Sequence, residues 1–172
     1  MKKRLLSWLL VLTMVISLIP STLVTTAFAA GNGVDITRAT DLADNANSVE
    51  SGGVYKISGN RQNPVKITAT DEVVLVLENV TINTNTSPIE LADGAKVTLV
   101  VPDGTNNTLT CTATVADTSN GGKTAGILVP ENAALTIDKQ KDGKGNGELT
   151  VTAAVGGAGI GGGAGIYSDT RA

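Results

Sequence analysis

The sequence predicts an all-β chain folded as a parallel β-helix, a solenoid of short stacked strands. From Val54 onward, short runs of Val, Ile or Leu alternate with Thr and are separated by Gly, Asn, Asp and Pro, which is typical of strands joined by tight turns. The 172 residues include 20 glycines and only 2% aromatic residues, so we expect a narrow core of small aliphatic side chains with glycine at the corners.

An internal repeat is the third observation that favours a solenoid. Residues 89–99 match residues 127–137 at a shift of 38, and the strands at Leu109 and Leu149 that follow match at a shift of 40. A period in the range of about 20–45 residues is typical of solenoids, whose units bury apolar surface only against their neighbours. A third unit begins at Ala158, so we expect an array truncated at its C-terminus. A two-sheet sandwich remains the alternative, because its strands have similar spacing.

The first 29 residues predict a secretory signal peptide. Three basic residues at positions 2–4 precede an apolar run over 5–19, and Ala27-Phe28-Ala29 is an A-x-A cleavage site. The apolar run is shorter than the roughly 20 residues of a membrane span, which disfavours a retained anchor. Removal of residues 1–29 leaves 10 basic and 16 acidic residues, a net charge of −6. We therefore expect a secreted chain, extracellular or at the cell surface, with no membrane association after cleavage.

The mature chain divides into two parts. Residues 30–51 are polar and are predicted to form a leader or N-terminal cap, with one or two helical turns over 40–47. Residues 52–172 are predicted to form the β-helix repeats. The predicted strands are Val54–Ile57, Val65–Thr68, Val73–Leu77, Val80–Ile82, Val97–Val101, Leu109–Ala113, Leu135–Ile137 and Leu149–Thr152. Their alternation places aliphatic side chains on a core face and threonine hydroxyls on a wet face.

Composition excludes several classes of function. The chain has no histidine, which excludes His-based acid/base or metal chemistry. Its acidic charge and its two remaining aromatic residues, Tyr55 and Tyr167, argue against nucleic-acid binding, which needs basic patches and stacking rings. The single cysteine, Cys111, is expected to be a buried small hydrophobe in a strand.

Residues 52–109 carry a recognisable pattern of core and corner positions. Its elements are Tyr55-Ile57-Gly59, Val73-Leu75-Leu77-Asn79-Val80-Ile82, Ile89-Leu91-Gly94-Ala95-Val97-Thr98-Leu99 and Gly104-Thr105-Asn107-Leu109. The pattern resembles the carbohydrate-binding-domain proteins of Gram-positive cell surfaces. This resemblance implies a right-handed parallel β-helix, secretion, and calcium-assisted binding of acidic plant polysaccharide such as polygalacturonate.

Acidic residues flank the strongest predicted strand and are the candidate metal ligands. Asp71 and Glu72 precede Val73–Leu77, and Glu78 and Asn79 follow it. Carboxylate and amide oxygens from separate segments are what calcium requires, provided that the fold brings them together. The alternative is that these side chains provide solubility and protect strand edges, and that Asn79 forms a ladder inside the coil, where its amide satisfies backbone groups at a corner.

A second acidic segment imitates a calcium loop. Residues 138–148 place oxygens at positions 1, 3, 5 and 9 of an EF-hand pattern with Gly at 6, but Gln140 replaces an acid and Glu148 falls one position early. Three lysines in the same segment disfavour a divalent cation. A polar turn between two strands is therefore the favoured interpretation.

Catalysis is not expected. A glycoside hydrolase needs two carboxyl groups across a cleft, and a lyase needs a base, commonly arginine, beside carboxylate-bound calcium. None of Arg38, Arg61 and Arg171 lies near an acidic cluster in the sequence. The sequence therefore predicts a secreted, non-catalytic carbohydrate-binding module with polysaccharide as its partner and calcium as a helper. The alternative is a truncated stalk or adhesin segment of a larger bacterial surface protein, which associates through an exposed C-terminal rung.

Overall fold

Two parallel β-sheets make up the computed structural model, which describes residues 33–113 and 123–163. The long sheet contains β1 (Thr40–Asp41), β3 (Gly53–Arg61), β5 (Val73–Thr84), β7 (Lys96–Val101), β8 (Asn106–Cys111), β10 (Ala134–Lys139) and β11 (Glu148–Thr152). The short sheet contains β2 (Ser48–Val49), β4 (Val65–Ile67), β6 (Ile89–Leu91), β9 (Ile127–Leu128) and β12 (Ile160–Gly161). The described residues include no helix, and none of their elements is a helix long and apolar enough to cross a membrane.

The chain passes alternately through the two sheets, and in the later passages the long sheet receives two consecutive strands, β7 with β8 and then β10 with β11. Each strand pairs in parallel with a strand from the previous passage, as β3 pairs with β5 and β4 pairs with β6. The prediction of an all-β chain with parallel strands is therefore confirmed. An antiparallel sandwich is wrong for these residues, because a sandwich joins neighbouring strands by antiparallel hairpins and Greek keys.

The registers test the repeat. Ile89 pairs with Ile127 and Val97 with Leu135, so the shift of 38 is confirmed. The shift of 40 is wrong, because Leu109 pairs with Val151 and not with Leu149. An error of two residues leaves the same side chains facing inward, since the side-chain period of a strand is two. The sequence pattern therefore could not distinguish the two registers.

The core lies between the sheets and consists of aliphatic side chains stacked in register. Leu75 pairs with Leu99, and both are fully buried together with Ile67 and Ile89. Each such side chain contributes about 1.5–3 kcal/mol of hydrophobic stabilisation. Cys111 is buried at the end of β8, which confirms its expected structural position.

Residues 33–39, here called the strap, lie across the outer face of the long sheet. The Val34 N–H donates to the Lys139 carbonyl (2.9 Å), and the Lys141 N–H donates to the Val34 carbonyl (2.6 Å). At the opposite edge of the sheet, Thr40 pairs with Tyr55. The strap covers a second apolar cluster whose buried members are Val34, Val74, Val76 and Val100. The prediction that the outer face is exposed to solvent is therefore wrong here, because the strap packs a second apolar layer on it.

The expected helical turns over 40–47 are also wrong. Residues 40–41 form β1, and the loop that follows is held by Arg61, the last residue of β3. The Arg61 side chain is fully buried and donates to the carbonyls of Leu42 (3.2 Å), Ala43 (3.0 Å) and Ala46 (2.7 Å). Burial lowers the pKa of Arg61, while Asp44 at 3.6 Å acts in the opposite direction. Three carbonyls that accept from one guanidinium fix the loop in a non-helical conformation.

Candidate functional site

The predicted metal ligands lie at two separate places. Asp71 and Glu72 are exposed immediately before β5, and Glu78 lies six residues beyond Glu72 on that strand. Six residues of extended strand span about 20 Å, which is too far for one ion to contact both ends. The Glu78 carboxylate is instead 3.1 Å from the Lys56 ammonium, which also lies 3.2 Å from Asp41. Hydrogen bonds to Glu78 and then to Asp41 raise the pKa of Lys56.

These acids do not fit a resident calcium ion. Within residues 33–113 and 123–163, no group of three or more Asp, Glu or Cys side chains lies close enough together to hold a metal. Calcium takes six to eight oxygen ligands. The Asp71–Glu72 pair offers exposed carboxylates without a third acidic partner, so any ion there would need most of its ligands from elsewhere.

Two asparagines tie successive strands of the long sheet together. Asn79 forms a bulge in β5 with a φ of 54°, and its Oδ1 accepts from the Asn106 N–H (3.0 Å). The expected bond between the Asn79 amide and a backbone group is therefore present, but its expected position inside the coil is wrong, because Asn79 is exposed. Asn107, which is buried, accepts from the Val80 N–H (3.0 Å) and donates to the Glu148 carbonyl (3.1 Å). Asn107 thus joins β5, β8 and β11.

The segment that imitates an EF-hand encloses a carboxylate instead of offering oxygens to a cation. The backbone N–H groups of Lys144 (2.6 Å), Gly145 (2.8 Å) and Asn146 (3.2 Å) donate to Asp103. These hydrogen bonds, led by that from Lys144, lower the pKa of Asp103. Converging N–H groups form a nest for an anion, so the favoured interpretation of a polar turn agrees with the structure.

An ion pair between a buried glutamate and a partly exposed lysine, on the outer side of the short sheet, was not found by sequence reasoning. Glu90 of β6 is buried, and its Oε2 lies 2.7 Å from the Lys123 ammonium. Its Oε1 and the buried Ser87 hydroxyl have no hydrogen-bond partner among the described residues. Both atoms are inaccessible to solvent, so they present no open ligand site.

The C-terminal parts of β3 and β5, together with β8 and β11, form one half of the long sheet. The outer face of this half is an open polar surface, here called the hydroxyl–amide array. Its two columns follow the strand registers: Asn60, Thr81, Thr108 and Thr150 in one, and Asn83, Thr110 and Thr152 in the other. These residues are exposed or half-buried, whereas the alternating Ile82 and Leu109 are fully buried. Among the described residues, the five threonine hydroxyls have no protein hydrogen-bond partner. The seven members of the array carry no charge, although the exposed Glu148 lies on the same face of β11, two residues before Thr150.

The sequence predicted part of this surface. Alternation of Thr with Leu, Val or Ile at Thr108, Thr110, Thr150 and Thr152 indicated a hydroxyl face. The alignment of these residues into columns depends on the register between strands, and the predicted shift of 40 would have placed Thr110 beside Thr150. The registers of the structure place Thr108 beside Thr150.

The described part of the chain thus combines two parallel sheets with an open polar face on one of them. A family model described as "Carbohydrate-binding domain-containing protein" matches residues 43–166, well over half of the chain. The chain therefore belongs to this family. No curated protein and no solved structure gives a significant match. Family membership supports a carbohydrate-binding role with polysaccharide as the partner, and suggests a non-catalytic module.

Proposed function

We propose that the chain is a secreted, non-catalytic module that binds cell-wall or plant polysaccharide, acidic polymers included, and that folds as a right-handed parallel β-helix. The observation that carries the proposal is the family match over residues 43–166, which coincides with the two parallel sheets. The handedness rests on a general rule, since crossover connections between parallel strands are almost always right-handed.

Secretion is supported by the sequence of the first 29 residues, with its basic start, apolar run and A-x-A site. Cell-wall and plant polysaccharides lie outside the membrane, so a module that binds them must be exported. The proposed location is therefore extracellular or at the cell surface, on the polymer that the module binds.

Calcium enters this proposal only as a bridging ion. Asp71 and Glu72 are exposed next to each other, and an acidic polymer brings carboxylates of its own. A hard cation held between the two would complete its coordination with oxygens from both partners and water. It would also offset the repulsion between the acidic chain and a polyanion. Glu78 lies apart from this pair and is held by Lys56.

Affinity electrophoresis tests the proposal. The purified protein is run through gels that contain polygalacturonate, xylan or no polymer, each with calcium and with a chelator. We expect retardation by polygalacturonate that strengthens with calcium and that is reduced when Asp71 and Glu72 are replaced by Asn and Gln. A matched control replaces Asp142, an exposed acid on another loop, by Asn. Equal mobility of the wild-type protein in every gel would contradict the proposed function.

A structural role is the second candidate. Ile137 (49% exposed), Val155 (74%) and Ile160 (43%) lie at the last described strands and the loop between them. Another passage of chain stacked on these strands would bury such side chains, as the earlier passages bury their equivalents. A stalk or adhesin segment that associates through this rung is favoured if the protein binds no polymer but oligomerises with increasing concentration.

A further inference from the structure

The outer faces of the sheets differ in what they leave accessible. The strap covers the half of the long sheet formed by the N-terminal parts of β3 and β5 with β7 and β10, and there it buries Val74, Val76 and Val100. On the short sheet, the outer position of β6 is occupied by the Glu90–Lys123 ion pair. The hydroxyl–amide array is open and uncharged, and its threonine hydroxyls lack protein partners within the described part of the chain.

The spacing of the array is regular. Neighbouring members of a column are separated by one strand spacing, about 4.8 Å, and the two columns are separated by two residues of strand, about 6.6 Å. The column from Asn60 to Thr150 crosses three such steps, or roughly 14 Å. Because the strands are held in register by backbone hydrogen bonds and by Asn107, the array is rigid before any ligand arrives.

The chemistry of the array matches that of a sugar chain. Each threonine hydroxyl donates one hydrogen bond and accepts up to two, and each asparagine amide both donates and accepts. Sugar hydroxyls have the same dual capacity, while a threonine methyl group packs against the C–H groups of a sugar ring. A surface without charge makes no use of a carboxylate on the polymer. Such a surface distinguishes ligands by the positions of their hydroxyls.

We propose that the hydroxyl–amide array is the saccharide-binding face and that it binds an unbranched polysaccharide through its hydroxyls, so that neutral polymers are ligands as well as acidic ones. This inference rests on the proposed carbohydrate-binding function and assigns it a place on the molecule. Binding at the array requires neither calcium nor the Asp71–Glu72 pair, and it persists at high salt, which weakens contacts between charged groups.

The test removes hydroxyls without removing strand propensity. Thr108 and Thr150 are replaced together by valine, which has nearly the same shape and favours strands. Thr136→Val is the matched control, because Thr136 is an exposed threonine on β10, in the other half of the same sheet. A second double variant, Thr110→Val with Thr152→Val, is made in parallel and decides the question if the first does not fold. Urea midpoints establish that each variant is folded.

Affinity electrophoresis in xylan and in polygalacturonate, both with chelator, provides the measurement. We expect each double variant to bind both polymers about tenfold more weakly than the wild type, and the control to bind as the wild type does. Folded double variants that bind as tightly as the wild type would overturn the assignment of the face while leaving the carbohydrate-binding function intact. A wild-type protein retarded by neither polymer with chelator would overturn the assignment of the face, and it would overturn the carbohydrate-binding function as well only if polygalacturonate with calcium also failed to retard it.

Discussion

Asn107 stabilises the long sheet through a side chain that bonds across three strands. Its carboxamide is buried, accepts from the Val80 N–H and donates to the Glu148 carbonyl. A buried backbone group that loses its partner costs about 1–3 kcal/mol. Asn107→Leu leaves the buried Val80 N–H without its partner and removes the part-buried bond to the Glu148 carbonyl, so we expect the free energy of unfolding to fall by about 2 kcal/mol, measured by urea denaturation.

Asn106 provides the control for this prediction. Asn106 precedes Asn107 on β8, and its side chain is exposed. Its bond to Asn79 is made by the backbone N–H, which a side-chain substitution retains. Asn106→Ala is expected to change the unfolding free energy by less than about 0.5 kcal/mol, as is usual for surface substitutions. Equal effects at both positions would mean that the buried amide bonds do not hold the strands together.

Asp103 makes the stability depend on pH. Its pKa is lowered in the folded protein by the N–H groups of Lys144, Asn146 and Gly145. A carboxyl group with a lowered pKa stabilises the fold above its unfolded pKa of about 3.9, and this stabilisation is lost as the pH falls through the lowered value. Asp103→Asn is therefore expected to lower the urea midpoint at pH 7, and the difference from wild type is expected to shrink below a pH of about 4.

Asp142 is the matched control for Asp103. It lies on the same loop as the N–H groups that Asp103 accepts from, is exposed, and has a φ of 59°, a conformation that asparagine tolerates well. Asp142→Asn should leave the midpoint nearly unchanged across this pH range. A difference between wild type and Asp103→Asn that stays constant down to a pH of about 2 would show that the charge of Asp103 has no part in holding the loop.

At single positions, the role of a residue could be predicted from the sequence only where its partners are local or follow from a neighbouring strand. The polar corner role of Asn79 could be predicted, because an amide next to a strong strand satisfies backbone groups at bends. The part played by Asp103 could not, since the N–H groups that it accepts from are about forty residues away. The burial of Arg61 could not be predicted either, since it depends on carbonyls of the earlier loop.

At the scale of elements, the strap is the feature with the clearest consequence. Residues 33–39 bury Val34 on the outer face of the long sheet and connect the neighbourhood of β10 to β1. Val34→Asp would place a carboxylate in an apolar cluster without a partner, which costs several kcal/mol. We expect the free energy of unfolding to fall by about 3 kcal/mol and the Lys141 amide, which donates to Val34, to lose protection from hydrogen exchange.

Arg38→Ala is the control in the strap, because Arg38 is exposed. It should leave both stability and the exchange of the Lys141 amide close to wild type. If Val34→Asp also changes neither quantity, the strap does not pack on the sheet in solution.

The positions of the longer strands were predicted correctly, whereas the short strands and the segment that packs on β5 were not. Seven of the observed strands overlap predicted ones, because alternation of apolar residues with threonine is a local signal. The strands of the short sheet other than β4 were not predicted as strands, since two or three residues are too few for an alternating pattern. The buried outer face of β5 was also missed, because the strap that covers it precedes β5 by more than thirty residues.

At the scale of the whole molecule, strand order follows from the alternation between two sheets. Each passage of the chain buries its aliphatic side chains against those of the previous passage. The outer face of each passage is exposed unless another segment packs on it. The strap covers one half of the long sheet, and the hydroxyl–amide array remains open on the other. The sequence indicated a polysaccharide-binding module through its resemblance to a family, and the match over residues 43–166 confirms the carbohydrate-binding family.

The position of the ligand could not be predicted from the sequence. The acidic residues on either side of the apolar core of β5 were predicted to bind a metal together, but the structure separates Glu78 from Asp71 and Glu72. A single threonine in a strand does not indicate a binding site. The threonines form columns only because of the registers between strands that are about thirty to forty residues apart in sequence.

Whether the hydroxyl–amide array binds saccharide can be measured by NMR titration of the ¹⁵N-labelled protein with a xylo-oligosaccharide, in the presence of chelator. We expect saturable amide shifts clustered at residues 81–83, 108–110 and 150–152, with little change in the strap or around Asp71 and Glu72. Shifts confined to the strap or to Asp71 and Glu72, or no shifts at saturating sugar, would contradict this expectation.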